Sequence, residues 1–266
     1  LFHLLDSLEA KAAVSAAVQR IFEDAHQEAT AGFSPRTFIA PVAGGDDLRI
    51  LLAPRLIPDY VAKLAEGVER RAREAGDLGG ILTVEQAERL HQVGVGIGAV
   101  VANSHYPVSR LAGYAHSLEV SAKRICRRRT VGDQVQMGAR SAFDFAVMTT
   151  QELRTSSGGE HSGRPGQRPI ALEPEGWRRF LAQASALAAL PSTQHAVLAE
   201  EAVLERDEFF NLLRYQVARS AKWQAYYQAC GADWRRSDHV ESYAPQRGLL
   251  EFIRILRPGS DEGENR

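Results

Sequence analysis

Apolar residues repeat at two different periods along this chain, and the switch between the periods marks its elements. In "EAKAAVSAAVQRIFEDAHQEA" the residues Val14, Val18, Ile21 and Phe22 recur at helical spacing, which predicts an α-helix with one buried stripe. "RTFIAPVA" and "LRILLAP" are short, rich in branched side chains and separated by "GGDD", which predicts a two-stranded hairpin with glycines at the turn. Pro41 has no N–H to give to a ladder, so its strand should lie at an edge or carry a bulge. After Pro58, "DYVAKLAEGVERRAREAG" is again helical in period, with a stop at Gly76.

"DLGGILTVEQAERLHQ" reads as a polar interruption, and "VGVGIGAVVANS", which alternates glycine with apolar residues, as a central strand that something packs against closely. "PVSRLAGYAHSLEVSAKRICRRR" predicts a helix with Pro107 in its first turn, and "QVQMGARSAFDFAVMTT" one or two strands. Helix, strand, strand, helix, strand, helix is the order of a ferredoxin-like unit without its first strand, which is expected at or before residue 1. "TSSGGEHSGRPGQRP" has the Gly, Ser and Pro content of a linker, and the four apolar-periodic stretches beyond it are helical in pattern. The expected fold class is α+β, with a ferredoxin-like domain over 1–153, a linker over 154–168 and an all-helical C-terminal domain over 169–266.

Composition narrows the classes of function. The 266 residues carry a formal charge of -1, so there is no global basic field and any nucleic-acid contact must be local. Cys126 and Cys230 are the two cysteines and stand far apart, which argues against a zinc site or a disulfide framework and fits a reducing cytoplasm. No apolar run approaches the roughly 18 residues of a membrane span. The N-terminus lacks the layout of a signal peptide, and because it does not begin with Met, preceding sequence is expected. The eight histidines show no metal-ligand spacing, and "GVGIG" is no phosphate loop, because no helix follows it directly.

The chemistry centres on "VAGGDDLR". One reading is a turn that needs glycine, followed by solvated aspartates. The other is a metal site for nucleotidyl transfer, a reaction in which divalent ions hold triphosphate oxygens, activate a hydroxyl and neutralise pyrophosphate. Mg2+ or Mn2+ takes oxygen ligands and keeps waters, so Asp46 and Asp47 are candidate metal ligands, and Gly44 and Gly45 leave a nucleotide room to approach. Adjacent strand residues face opposite ways, so the turn or a bulge must bring the two carboxylates together.

"VAGGDDLRILLAP" after an amphipathic helix, followed by "GVGIGAVVANSHYPVSRLAGYAHSLEVSAKR", resembles the second palm domain of the large subunit of type III CRISPR effector complexes. The likeness extends to "RSAFDFAVMTT" and, more loosely, to "RPIALEPEGWRRFLAQASALAALPSTQ", which is similar to the start of that family's helical C-terminal domain. The resemblance implies a palm, a fold shared with polymerases and diguanylate cyclases, that joins ATP into cyclic oligoadenylates in antiviral defence. It implies partners as well: ATP, other CRISPR effector subunits, guide RNA and target RNA, with no membrane. By the same resemblance Asp46 and Asp47 are catalytic metal ligands, Gly44 and Gly45 give the nucleotide room, and Lys123 neutralises a phosphate. Ser104, His105 and Tyr106 match the strand-to-helix loop beside the site. The family's first palm strand carries a further acid that has no clear counterpart here, and Asp6 reads as a helix cap or a surface residue.

Two other features have two readings each. "KRICRRR" gathers Lys123, Arg124, Arg127, Arg128 and Arg129 as a solvated face or as a phosphate contact. Arg214, Arg219, Lys222, Trp223, Tyr226, Tyr227, Trp234, Arg235 and Arg236 interleave bases with aromatics, as a helical core or as a stacking surface for RNA. Against a cyclase stands an inactive palm with a structural role. A diguanylate cyclase, which shares the palm, is a minor alternative that usually has an acid and then Phe where this chain has Asp47 and Leu48.

Overall fold

The computed structural model describes residues 5, 7–44, 47–76, 78–126, 129–131, 134–136, 138–148, 168–191, 193–194, 206–242, 245 and 247–256. They form a mixed α+β structure in two compact units, residues 1–146 with 169–174 and residues 147–168 with 175–266.

In the first unit α1 (Leu8–Thr30) is capped by Ser7, whose hydroxyl accepts from the Ala10 N–H. Asp6, the residue considered for that cap, lies outside the described residues. β1 (Phe38–Gly44) and β2 (Asp47–Leu52) pair antiparallel, with Gly44 opposite Asp47, Val42 opposite Arg49 and Ile39 opposite Leu51. Between Ile39 and Val42 the register shifts, at the position of Pro41, for which an edge or a bulge is expected. Leu48, Ile50 and Leu52 point inward, onto the core formed by Val14, Ile21 and Phe22 of α1 with Leu64 and Val68 of α2 (Ile57–Glu74). Gly76, at φ +61°, follows the end of α2. Two ion pairs, Glu28 with Arg70 and with Arg71, each at 2.6 Å, join α1 to α2 at the surface.

Where the sequence reads as an interruption, the structure has α3 (Val84–His91). Thr83 and Gln86 cap it reciprocally, each side chain bonding the other's backbone N–H. β3 (Gly96–Val101) follows, then α4 (Val108–Cys126), β4 (Arg129–Val131), β5 (Gln134–Gln136) and β6 (Ala142–Val147). β7 (Ile170–Ala171), from the region expected to be helical, pairs antiparallel with β6 and completes the order β3-β6-β7.

Tyr60, at the start of α2, hydrogen-bonds His26, whose ring meets Phe38 at the base of the hairpin. Glu69, nine residues further along α2 and so about 13 Å away, reaches Ser141 beside Val95, just before β3. α2 thus carries the chain from the hairpin base to the start of β3.

In the second unit the described elements are helices: α5 (Pro174–Ala188), α6 (Arg206–Arg219), α7 (Ala221–Ala229), α8 (Ser237–Ser242) and α9 (Arg247–Leu256). Trp177 and Phe180 of α5 stack at 5.5 Å, and Phe252 of α9 packs edge-on against both. The stretch "RDEFFNLLRYQVARSAKWQAYYQACG" is broken at Ser220, whose hydroxyl caps α7 by accepting from the Trp223 N–H. "TQHAVLAEEAVL" lies for the most part outside the described residues.

Candidate functional site

The candidate site is the tip of the β1–β2 hairpin. Gly44 closes β1, Asp47 opens β2, and the two are directly paired. Gly45 and Asp46, the two residues between them, lie outside the described residues. β2 alternates exposed and half-buried positions from Asp47 onward, which puts Asp47, Arg49 and Leu51 on its outer face and Leu48, Ile50 and Leu52 against the core. Cross-strand partners share a face, so Gly44, Val42 and Ile39 belong to the outer face too.

Nothing in the described structure calls for glycine at position 44. Its φ is not among the positive ones, and a Cβ built there meets no atom within 4 Å. The glycines of β3 are a contrast. A Cβ at Gly98 would collide with the backbone of Ala115 and Glu119, one at Gly96 with the Lys123 side chain, and one at Gly94, just before the strand, with the Arg140 backbone. Gly96 and Gly98 are therefore the surface on which α4 lies, the close packing expected of that run, although among the described strands β3 stands at the edge of the order β3-β6-β7 and not at its centre.

That packing also places Lys123. It stands beside Gly96, where β3 begins. Its ammonium pairs with Glu119 at 2.5 Å, and His116 Nδ1 lies 3.1 Å from the same carboxylate group. Burial pushes the Glu119 carboxyl up, but its bonds with Lys123 and His116 outweigh that and hold it below the usual value. Cys126, one turn further on, is pushed up to about 11 by burial and by the Glu69 charge, which makes it a poor nucleophile.

Ser104 and His105 are not brought to Lys123. They lie beyond Val101, in the loop that enters α4, at the opposite end of β3. Asn103 Oδ1 organises this loop by accepting from the Ser104 hydroxyl and the His105 N–H. Tyr106 N–H donates to the Asn103 carbonyl, so the three residues that match the family loop form one turn.

The fit of a divalent ion rests on Asp47, an exposed carboxylate beside a bare glycine. Magnesium binds through one or two carboxylates plus substrate phosphates and waters, so this donor set suits an ion shared with a nucleotide. Among the described residues there is no group of three or more His, Cys, Asp and Glu placed to hold a metal alone. No described helix is long and apolar enough to cross a membrane.

The interleaved aromatics of the second unit separate into two sets. Trp223, Tyr226 and Tyr227 are buried, and the Tyr227 hydroxyl donates to the Val240 carbonyl at 3.0 Å. Outside this core, Arg219 lies over the exposed Tyr215 ring at 5.2 Å and Arg235 over the Trp234 ring at 4.8 Å. In the basic run, Lys123 and Arg124 are exposed at the end of α4, and Arg127 and Arg128 lie outside the described residues.

Sequence reasoning passed over Arg49 and Ser141. Strand alternation counted from Asp47 would have placed Arg49 on the same face. Ser141 carries no local signal, because its partners Glu69 and Val95 are distant in sequence. No protein-family model matches the chain, and no curated protein matches it.

Proposed function

We propose that the first unit is a palm-type nucleotidyltransferase that joins ATP into cyclic oligoadenylate, working in antiviral defence as part of an RNA-guided type III CRISPR complex. The observation that carries this reading is Gly44. A glycine that neither conformation nor packing among the described residues requires, paired directly with an exposed aspartate, leaves open space beside the carboxylate that suits a nucleotide. The "GGDD" tip, the glycine-faced β3 and the lysine near the end of α4 are the features that resemble the family, and the helix and strand order supports a ferredoxin-like palm.

Asp47, together with Asp46, would hold Mg2+ or Mn2+. When bound, the ion supplies charge to activate a ribose hydroxyl and to neutralise the leaving pyrophosphate. The hairpin presents the carboxylate on a paired strand, so its position is set by the ladder. Gly44 leaves the floor beside it bare, and Lys123, half exposed and paired with Glu119, is the cation assigned to a phosphate. The helices of the second unit are assigned to docking other effector subunits and RNA.

The test is incubation of the protein with labelled ATP and Mg2+ or Mn2+, with and without its RNA-guided partners. Cyclic oligoadenylate should form, and Asp46→Ala combined with Asp47→Ala should abolish it. Equal product from the double variant would refute the assignment. Assembly into an RNA-guided complex without any ATP turnover would favour the structural role.

A further inference from the structure

The outer face of the hairpin is a ladder of three cross-strand pairs: Gly44 with Asp47 at the tip, then Val42 with Arg49, then Ile39 with Leu51 toward the base. Asp47 and Arg49 are two residues apart on one strand face, so their Cα atoms stand about 7 Å apart. Arg49 is exposed and has no ion pair among the described residues, unlike Arg70, Arg71 and Arg89 of the same unit, which all pair with acids. Its other neighbours on this face are apolar, since Val42, Ile39 and Leu51 are 39%, 64% and 45% exposed. Arg49 thus stands on a paired strand, two residues from the Asp47 carboxylate and near a bare glycine, with no other acid among the described residues of this face.

We infer that Arg49 forms a polyphosphate subsite on this face, binding the phosphates of a nucleoside triphosphate that lies over Gly44 beside Asp47. The planar fork of arginine matches two phosphate oxygens at once, which a lysine cannot do. The spacing suits the ligand: one end of the triphosphate meets Asp47 and its ion, and the next phosphate lies within reach of Arg49. This inference rests on the nucleotidyl-transfer reading of the same hairpin and names a residue for which the resemblance assigns no role.

The experiment measures binding of labelled ATP to the full chain, first in EDTA and then in Mg2+, and in parallel its turnover. Arg49→Ala should weaken binding about tenfold in both conditions, as loss of a charge-assisted bidentate contact would. Arg49→Lys should recover part of the loss, and Asp47→Asn should weaken binding only when Mg2+ is present. Unchanged binding by Arg49→Ala, with Asp47→Asn still impaired in Mg2+, overturns the subsite and leaves the nucleotidyl-transfer reading standing. Weakened binding by Arg49→Ala, with turnover unaffected by loss of Asp46 and Asp47, supports the subsite and overturns that reading. Failure of the unaltered chain to bind ATP overturns both. Arg49 is exposed, so a folding defect is not expected, and a matching unfolding midpoint for each variant controls for one.

Discussion

Ser141 donates its hydroxyl hydrogen to Glu69 Oε1 at 2.7 Å, joining the start of β6 to the fourth turn of α2. The same oxygen accepts from the Val95 N–H at 3.1 Å, and Ala142 N–H donates to the Val95 carbonyl, so one buried hydroxyl holds α2, β3 and β6 together. Ser141→Ala should cost about 1 to 3 kcal/mol, because it leaves the Val95 N–H and a half-buried carboxylate without this partner. The shift in denaturant midpoint at constant slope measures it.

Two glycine substitutions should have opposite outcomes. Gly98→Ala places a methyl group into the backbone of α4 and should destabilise the protein by roughly 1 to 3 kcal/mol or prevent folding. Gly44→Ala meets open space and should leave stability within about 1 kcal/mol, since alanine costs less than glycine in a strand. If the hairpin is a nucleotide site, Gly44→Ala should nonetheless lower ATP turnover tenfold or more. Thermal unfolding alongside turnover separates the two effects.

Acid should weaken the first unit through His26. Burial of its ring, on α1 against Tyr60 and Phe38, holds its imidazole below the ordinary value of 6.5. A group with a lowered folded value takes its proton first in the unfolded chain, so its contribution is complete above about pH 6.5 and is lost as pH falls through the folded value. His26→Gln keeps a partner for the Tyr60 hydroxyl and should flatten the stability profile in that window. The depressed carboxyls of Glu28 and Glu119 titrate below 4.5, so their losses appear at lower pH.

Lys123→Ala removes an ion pair between side chains that are 51% and 28% exposed, and should therefore change stability by less than about 1 kcal/mol. If Lys123 neutralises a phosphate, the same variant should raise KM for ATP at least fivefold. Glu119→Gln should lower KM, because it releases the ammonium from its carboxylate. Steady-state turnover over a range of ATP concentrations checks both.

Much of the fold was legible where the signal is local. The α1 stripe, the hairpin with its proline bulge, the stop at Gly76 and the close-packed glycine strand follow from periodicity and backbone chemistry. α3 was also legible in principle, because Thr83 and Gln86 have capping-box spacing, yet the polar composition of the stretch hid it. The break at Ser220 escaped for a related reason: apolar spacing continues across it, and only the cap shows that the helix restarts.

The sequence by itself determined which residues could do chemistry at the hairpin, because "GGDD" between two short apolar runs specifies a turn, two carboxylates and the absence of side chains beside them. Tertiary structure alone decided which end of β3 each of the other candidates lies beside. Lys123 lies at the start of β3 and Ser104 with His105 beyond its end because α4 packs back along the strand, a consequence of long-range packing. It also decided that Gly96 and Gly98 serve an α4 contact and Gly44 does not, since only assembled neighbours show where a methyl group has no room. The pairing of β7 with β6 belongs to the same class: it joins residues that are close in space and some thirty positions apart in the chain, and no local periodicity encodes such a contact.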